Sequence, residues 1–120
     1  MTIQEAIATA DAQRPNQVDK ALKIRWLSEM DGRVDLEVLS PDGGSGFSGY
    51  SPDSPQDTVL KIPFPYDGIY PLWLEAHVAR INGEMDKYNN CLTMCAEQME
   101  SFRAYHARTA KREVPQLKFF

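Results

Sequence analysis

The side chains able to do chemistry in this 120-residue chain include two cysteines and two histidines. Cys91 and Cys95 are one helical turn apart, so their thiols can share a helix face. A structural zinc site needs further Cys or His ligands close by, and His77 and His106 are each more than ten residues from the cysteines. Neither histidine stands in a recognisable nucleophile motif. We therefore expect reduced structural thiols, no metal and no cofactor.

Acidic pairs are the remaining candidates for catalysis, in the manner of helical nucleotide hydrolases that hold Mg²⁺ with carboxylates. Glu84 and Asp86 are two residues apart and cannot share a helix face, whereas Glu97 and Glu100 can. A pair of glutamates on one face is typical of a solvated surface. The glycines of residues 43–49 are not followed by the Lys-Ser/Thr of a phosphate-binding loop. The sequence therefore predicts no active site, and we expect a protein that is not an enzyme.

The first forty residues predict two helices. Thr2 and Glu5 have the spacing of a capping box, and the apolar period that follows predicts a helix over about residues 3–13, ended by Arg14-Pro15-Asn16. Asp19 is a favourable cap for a second helix that runs to about Leu39. The predicted apolar face of this second helix comprises Leu22, Trp26 or Leu27, Met30 and Val34.

Residues 40–57 have the composition of a long flexible loop. Ser, Pro, Gly and Asp make up fifteen of the eighteen residues, which is too little apolar surface to offset the entropy of ordering. Phe47 and Tyr50 are the apolar side chains of this loop. They either hold the loop against its own domain or bind a neighbouring molecule, so both are candidate partner-interface residues.

Thr58-Val59-Leu60-Lys61-Ile62 is a short β-type run that ends before Pro63. Its backbone groups need hydrogen-bond partners. It pairs with another part of the chain, packs as an extended segment or joins a sheet in another copy.

The strongest periodic signal lies in the C-terminal half. Apolar positions recur at alternating steps of four and three residues, which is a heptad seam. The seam comprises Val78, Ile81, Met85, Tyr88, Leu92, Cys95, Met99, Phe102 and His106. It keeps its phase through Asn82-Gly83, which favours one long helix from about Ile69 to Lys111. Two helices joined at Asn82-Gly83 are the alternative, because Gly after Asn is also typical of a helix end.

A continuous helix of that length would reach about 60 Å, more than a 120-residue bundle can cover, so part of its apolar stripe is expected to meet a partner. The tail, residues 113–120, carries Leu117, Phe119 and Phe120. These three are further partner-interface candidates, and their alternative is to fold back onto their own bundle. The fold class expected for residues 1–120 is a single all-α domain, a small helical bundle with one long C-terminal helix, the flexible loop and the short β segment.

Charge distribution narrows the classes of function. The net charge of −4 argues against a nucleic-acid-binding protein. Acids dominate residues 28–57 and bases dominate residues 101–120, which suits head-to-tail contacts between copies as well as a simple solvated surface. No apolar run approaches the length of a membrane span, and residues 1–20 lack the basic and apolar regions of a secretory signal. We expect no membrane association.

Several stretches, taken in order and spacing, resemble a known family. They are Ile3-Gln4-Glu5-Ala6-Ile7, Arg14-Pro15-Asn16, Lys23-Ile24-Arg25-Trp26-Leu27-Ser28-Glu29-Met30-Asp31-Gly32-Arg33, Pro65-Tyr66-Asp67, Tyr70-Pro71-Leu72-Trp73-Leu74-Glu75-Ala76 and Asn82-Gly83-Glu84-Met85-Asp86-Lys87-Tyr88-Asn89-Asn90. In this arrangement the chain resembles the head–tail connector (neck adaptor) structural proteins of tailed bacteriophages and prophages. The resemblance covers most of the chain, from the first helix to about Arg108.

The resemblance implies a helical virion protein that forms an oligomeric ring on the portal protein and carries the next neck or tail component. It implies no catalytic residue and no cofactor. DNA would pass through the ring without sequence-specific binding, which an acidic chain favours. The expected location is the bacterial host cytoplasm during assembly, then the virion neck, and the gene can belong to a prophage.

Two other functions stay open at this stage. A small helical adaptor or inhibitor could act as a dimer through the seam, since a heptad stripe is a common dimer interface. A carboxylate-dependent nucleotide hydrolase is the remote alternative, and it would depend on Glu97 and Glu100.

Overall fold

The structure is a computed structural model that describes residues 1–40 and 46–113, with the side chains of 111–113 left undescribed. Four helices make up most of it: α1 (Ile3–Gln13), α2 (Lys20–Val34), α3 (Ile69–Ile81) and α4 (Met85–Glu113). A π-helical turn, Asp35–Leu39, continues α2, and a 3₁₀ turn, Tyr66–Gly68, leads into α3. The expected all-α bundle with a long C-terminal helix is confirmed.

Helix α1 begins as its sequence predicts. The Thr2 hydroxyl accepts a hydrogen bond from the Glu5 amide at 3.1 Å, and the Thr2 amide donates to the Glu5 carboxylate at 2.9 Å. This reciprocal pair satisfies two amide groups that the first turn leaves without helical partners. The bond to the Thr2 amide lowers the pKa of Glu5. Ile3, Ala6, Ile7 and Ala10 form the buried face.

Helix α2 also begins at its predicted cap, since the Asp19 carboxylate accepts from the Ala21 amide. The predicted end near Leu39 is right for the helical region as a whole, although its last turn widens to π geometry. The predicted apolar face is partly wrong. Leu22 is among the exposed hydrophobics, whereas the buried side includes Lys23 and Asp31, two charged side chains with partners inside the bundle.

Helix α3 is the centre of the bundle and packs against α1, α2 and α4. Pro71 lies in its first turn, where a missing amide hydrogen costs nothing. Its buried residues point in several directions, as expected of a helix with neighbours on several sides. They are Ile69, Tyr70, Pro71, Leu74, Glu75, Ala76, Val78 and Ala79.

The favoured single helix through Asn82-Gly83 is wrong, and the alternative of two helices is right. Gly83 has φ +76°, the left-handed conformation that ends helices. Its amide donates to the Arg80 carbonyl at 3.1 Å, and the Glu84 amide donates to the Ala79 carbonyl at 2.9 Å. These two bonds form a Schellman motif, after which α4 packs back along α3 as an antiparallel hairpin.

The hairpin explains why the heptad seam misleads. Val78, Cys95 and Phe102 are buried, as predicted, but Ile81 and Met85 flank the turn and are about half exposed. A periodic pattern on two antiparallel helices can stay in phase across a short turn by chance. The seam is therefore two shorter stripes that face each other and the rest of the core.

The short β-type run finds its partner at the start of the chain. Thr2 and Val59 form an isolated antiparallel bridge, the Ile3 amide donates to the Thr58 carbonyl, and the Leu60 amide donates to the Met1 carbonyl. Leu60 and Ile62 are buried while Val59 is exposed, which is the alternation of an extended segment. Of the three options for this run, pairing within the chain is the one observed.

Candidate partner-binding surfaces

The two loop residues flagged from the sequence both contact their own bundle. Tyr50 is half-buried, and its hydroxyl donates to the Asp31 carboxylate at 2.5 Å. The Phe47 ring packs edge-on against Tyr50 at 5.1 Å, and the Lys61 ammonium lies 4.5 Å from the Phe47 ring centre. Residues 46–57 contain no helix or strand, as predicted, and these contacts tie them to α2 and to the extended segment.

Asp31 is the polar centre that sequence reasoning missed. It is fully buried, and one carboxylate oxygen accepts from the Tyr50 hydroxyl and from the Lys61 amide at 3.0 Å. The other oxygen accepts from the Tyr70 hydroxyl at 2.5 Å, and this hydroxyl in turn accepts from the Ile62 amide at 2.7 Å. One carboxyl group therefore joins α2, the loop, the extended segment and α3.

The three hydrogen bonds to Asp31 offset part of the cost of burying its carboxylate. Burial raises the pKa of Asp31, while the bonds from Tyr50, Tyr70 and the Lys61 amide lower it, and burial prevails. Burial likewise raises the pKa of the Tyr50 and Tyr70 hydroxyls, which therefore stay protonated donors. Because every one of these bonds is internal, the cluster holds the fold together. An Asp on the apolar side of a predicted helix was the available signal.

The acidic half of the proposed charge asymmetry is also partly internal. Asp31 and Asp35 are buried, and Asp35 lies 3.8 Å from the Lys61 ammonium. Glu29 and Glu37 remain exposed on the same helical region. The surface of this region is therefore less acidic than its sequence suggests.

An apolar groove runs between the α2 region and α4, with α3 as its floor. We call it the α2–α4 groove. Its volume is about 210 Å³, and its lining is mostly apolar with a charged rim. The lining comprises Met30, Val34, Val38, Ile69, Trp73, Leu92, Cys95, Ala96 and Met99, and the rim comprises Arg33, Glu37 and Arg103. The Arg103 guanidinium and the Glu37 carboxylate are 3.1 Å apart across the groove.

The cysteines have structural surroundings. Both are free thiols and buried. Burial raises the pKa of Cys95 to about 12, with Cys91 and Glu75 adding to the effect, and burial also raises the pKa of Cys91. A thiol with a raised pKa is a poor nucleophile and a poor metal ligand at neutral pH. Within residues 1–40 and 46–113, no group of three or more His, Cys, Asp or Glu side chains is placed to hold a metal ion.

His77 is enclosed by two tryptophans. Its ring stacks on Trp26 at 4.8 Å and meets Trp73 edge-on at 4.4 Å, and the Trp73 indole N–H donates to the Trp26 carbonyl at 2.8 Å. Burial lowers the pKa of His77 to about 4, and the nearby Arg80 charge acts in the same direction. His77 is therefore neutral at physiological pH and contributes to packing.

The last part of α4 extends past the bundle. Helix α4 has 29 residues against 13 in α3, so it outruns its antiparallel partner by about 24 Å. The 3₁₀ turn covers part of this excess, where the Tyr66 ring contacts Phe102 at 5.9 Å and Tyr105 at 5.3 Å. None of residues 103–110 is buried, so Phe102 is the last buried residue of those whose side chains the structure describes. We call residues 103–110 the projecting segment.

The remaining candidates are placed as follows. Glu97 and Glu100 are both exposed on α4. His106 is partly buried and its ring lies 6.1 Å from Phe102. Leu117, Phe119 and Phe120 lie outside the described residues.

Comparison with known proteins adds no relative. No family model, no curated protein and no solved structure matches this chain. None of the helices in the described part of the chain is long and apolar enough to span a membrane.

Proposed function

We propose that this chain is a structural assembly protein, a head–tail connector of a tailed phage or prophage that joins a ring on the portal protein. The observation that carries the proposal is the length of α4 beyond the bundle. A helix end that has few contacts with the bundle and no buried residue gains little by itself, because most helical stability comes from packing. A partner protein that covers the projecting segment explains why α4 continues beyond the bundle.

Charge and composition support the same function. Arg103 and Arg108 lie in the projecting segment, whereas the chain as a whole carries a net charge of −4. Arg103 pairs with Glu37 of the same chain, and Arg108 is exposed. A basic extension on an acidic body favours contacts between neighbouring copies. An acidic body also lets DNA pass through a ring without being held. The sequence resemblance to connector proteins points to the same assembly.

The competing functions lose support from particular features. A dimer through the heptad seam needs one continuous apolar face on the outside of the protein. The hairpin divides this face at Gly83 and turns it toward the interior of the bundle. A nucleotide hydrolase needs carboxylates facing Glu97 and Glu100, and the described residues hold no such cluster.

Co-assembly with the portal protein of the same genome tests the proposal. We expect the purified chain to co-sediment with preformed portal rings and to add a ring of density at one end in electron micrographs. Arg108→Glu should weaken this binding about tenfold or more, because it reverses an exposed charge on the projecting segment. Lys87→Glu is the matched control, since it reverses an exposed charge at the opposite end of α4.

A chain that stays monomeric at every concentration and never co-sediments with the portal ring would overturn the proposal. Equal loss of binding in both charge-reversal variants would remove the role of the projecting segment.

A further inference from the structure

The bundle leaves the α2–α4 groove open. Leu92, Met99 and Trp73 line it and are only partly buried, so apolar surface remains in contact with solvent. Its volume of about 210 Å³ is below the usual range of small-molecule sites, about 300–1,000 Å³. A groove of this size and lining fits one or two apolar side chains of a polypeptide.

Residues 114–120, Val-Pro-Gln-Leu-Lys-Phe-Phe, have the composition of an occupant. Three of the seven, Leu117, Phe119 and Phe120, are large and apolar, and none is acidic. They follow directly on α4, whose last turns extend past the bundle. Anchors of this kind, large apolar side chains entering a pocket, dominate the energetics of peptide recognition.

Chain length limits how far the tail can enter the groove of its own copy. Along α4, Glu113 is about 21 Å from Met99 and about 32 Å from Leu92, at 1.5 Å per helical residue. Four fully extended residues, from Glu113 to Leu117, span at most about 14 Å, and seven span at most about 25 Å. Within one chain Leu117 therefore cannot reach Met99, and even Phe120 cannot reach Leu92.

We propose that the tail of one copy, residues 114–120, docks in the α2–α4 groove of a second copy. A neighbouring groove can accept any one or two of the three anchors without the length limit that holds within one chain. The contact is head-to-tail, because groove and tail are different surfaces, so repetition closes a ring or extends a filament. This inference deepens the proposed function and rests on its self-association step.

Complementation between two full-length variants tests the docking. Ala96→Glu places a charge in the groove at an exposed position, so it blocks the groove without disturbing the core. The triple variant Leu117→Ser, Phe119→Ser, Phe120→Ser removes the anchors from the tail. Sedimentation velocity should show that each variant alone associates at least about tenfold more weakly than the natural chain, and that their mixture forms a one-to-one heterodimer.

Ser101→Glu is the matched control, because Ser101 is exposed on α4 and lies outside both the groove and the projecting segment. It should associate as the natural chain does. Natural association by either the Ala96→Glu or the triple variant would overturn the proposal, and so would a mixture that fails to form the heterodimer.

A peptide measurement keeps the proposal testable if the chain associates weakly. A fluorescent peptide of residues 114–120 should bind the triple variant saturably and should bind a quadruple variant that adds Ala96→Glu about tenfold more weakly. Absence of saturable binding, or equal binding to both, would overturn the docking. Neither measurement uses the portal protein, so failure of the docking and failure of the connector function can be told apart.

Discussion

The two parts of α4 obey the same helical geometry and have opposite relations to the rest of the molecule. From Met85 to Phe102 the helix packs along α3, and Cys91, Cys95 and Phe102 are buried. In the projecting segment no residue is buried. The difference arises because α3 is only 13 residues long. An amphipathic pattern therefore predicts that the apolar stripe of a helix will be covered. The length of the neighbouring helix decides whether the same chain or a partner covers it.

The largest expected effect is on the packed part. Phe102→Ala should lower the free energy of unfolding by about 3–5 kcal/mol, because Phe102 is 2% exposed and its removal leaves a cavity beneath Tyr66. Tyr105→Ala, one helical turn away in the projecting segment, should cost less than about 1 kcal/mol. Urea denaturation measures both. Equal losses would show that the two parts of α4 do not differ.

Substitutions in the Asp31 cluster test whether the stability of the bundle depends on buried polar contacts as well as on apolar packing. Tyr70→Phe should destabilise the fold by about 2–3 kcal/mol, because the Ile62 amide and one Asp31 oxygen lose a buried partner. Tyr50→Phe should cost less, since Tyr50 is only half-buried and the Lys61 amide still binds the same Asp31 oxygen. The free energy of unfolding of both variants decides the order. A larger loss in Tyr50→Phe would contradict it.

His77 gives the core a pH dependence. Its pKa is about 4 in the folded state and about 6.5 when unfolded, so the unfolded chain binds the proton first as pH falls. This contribution to stability is full above pH 6.5 and is lost progressively down to about pH 4. After allowance for partial exposure, it amounts to about 1–2 kcal/mol. His77→Gln should flatten the slope of melting temperature against pH in that window.

The raised pKa values of Asp31 and Glu75 act in the opposite direction, because the folded state then binds protons more readily than the unfolded chain. Asp31 and Glu75 are present in both the natural chain and His77→Gln. The difference in slope between these two proteins therefore reports the contribution of His77. An unchanged slope would contradict the placement of His77 between the tryptophans.

The smallest expected effect has a diagnostic sign. Gly83→Ala should destabilise the chain by about 1 kcal/mol, because alanine at φ +76° is strained. In a continuous helix the same change would stabilise by about as much, since alanine is the better helix former. Thermal denaturation therefore distinguishes the hairpin from a continuous helix by the direction of the shift.

Local rules in the sequence predicted the helix starts and the all-α class well. The capping residues Thr2 and Asp19 bind backbone amides no more than three residues further along the chain. They can therefore be recognised from the local sequence alone. From the sequence, a hairpin at Gly83 is the less favoured alternative to one continuous helix, because the heptad phase continues across Asn82-Gly83. Periodicity cannot distinguish one stripe from two stripes that face each other.

The Asp31 cluster and the α2–α4 groove depend on contacts between residues far apart in the chain. The Asp31 cluster joins positions up to 39 residues apart, and the α2–α4 groove combines residues from α2, α3 and α4. Neither follows from local pattern. Phe47 and Tyr50 stand out in the sequence as the apolar side chains of the loop, and the structure shows their contacts within the chain. Their role at a partner interface stays a prediction. The composition of the tail is visible in the sequence, but the α2–α4 groove is not.

Hydrogen–deuterium exchange of α4, measured on dilute protein and on the assembled form, tests the central claim that the projecting segment is a partner surface. In dilute protein, the amides of residues 91–102 should exchange slowly and those of 103–110 much faster, because only the first group lies in the packed part. On assembly, 103–110 should become protected while 91–102 change little. Uniform protection along α4 in dilute protein, or no gain in 103–110 on assembly, would contradict the account.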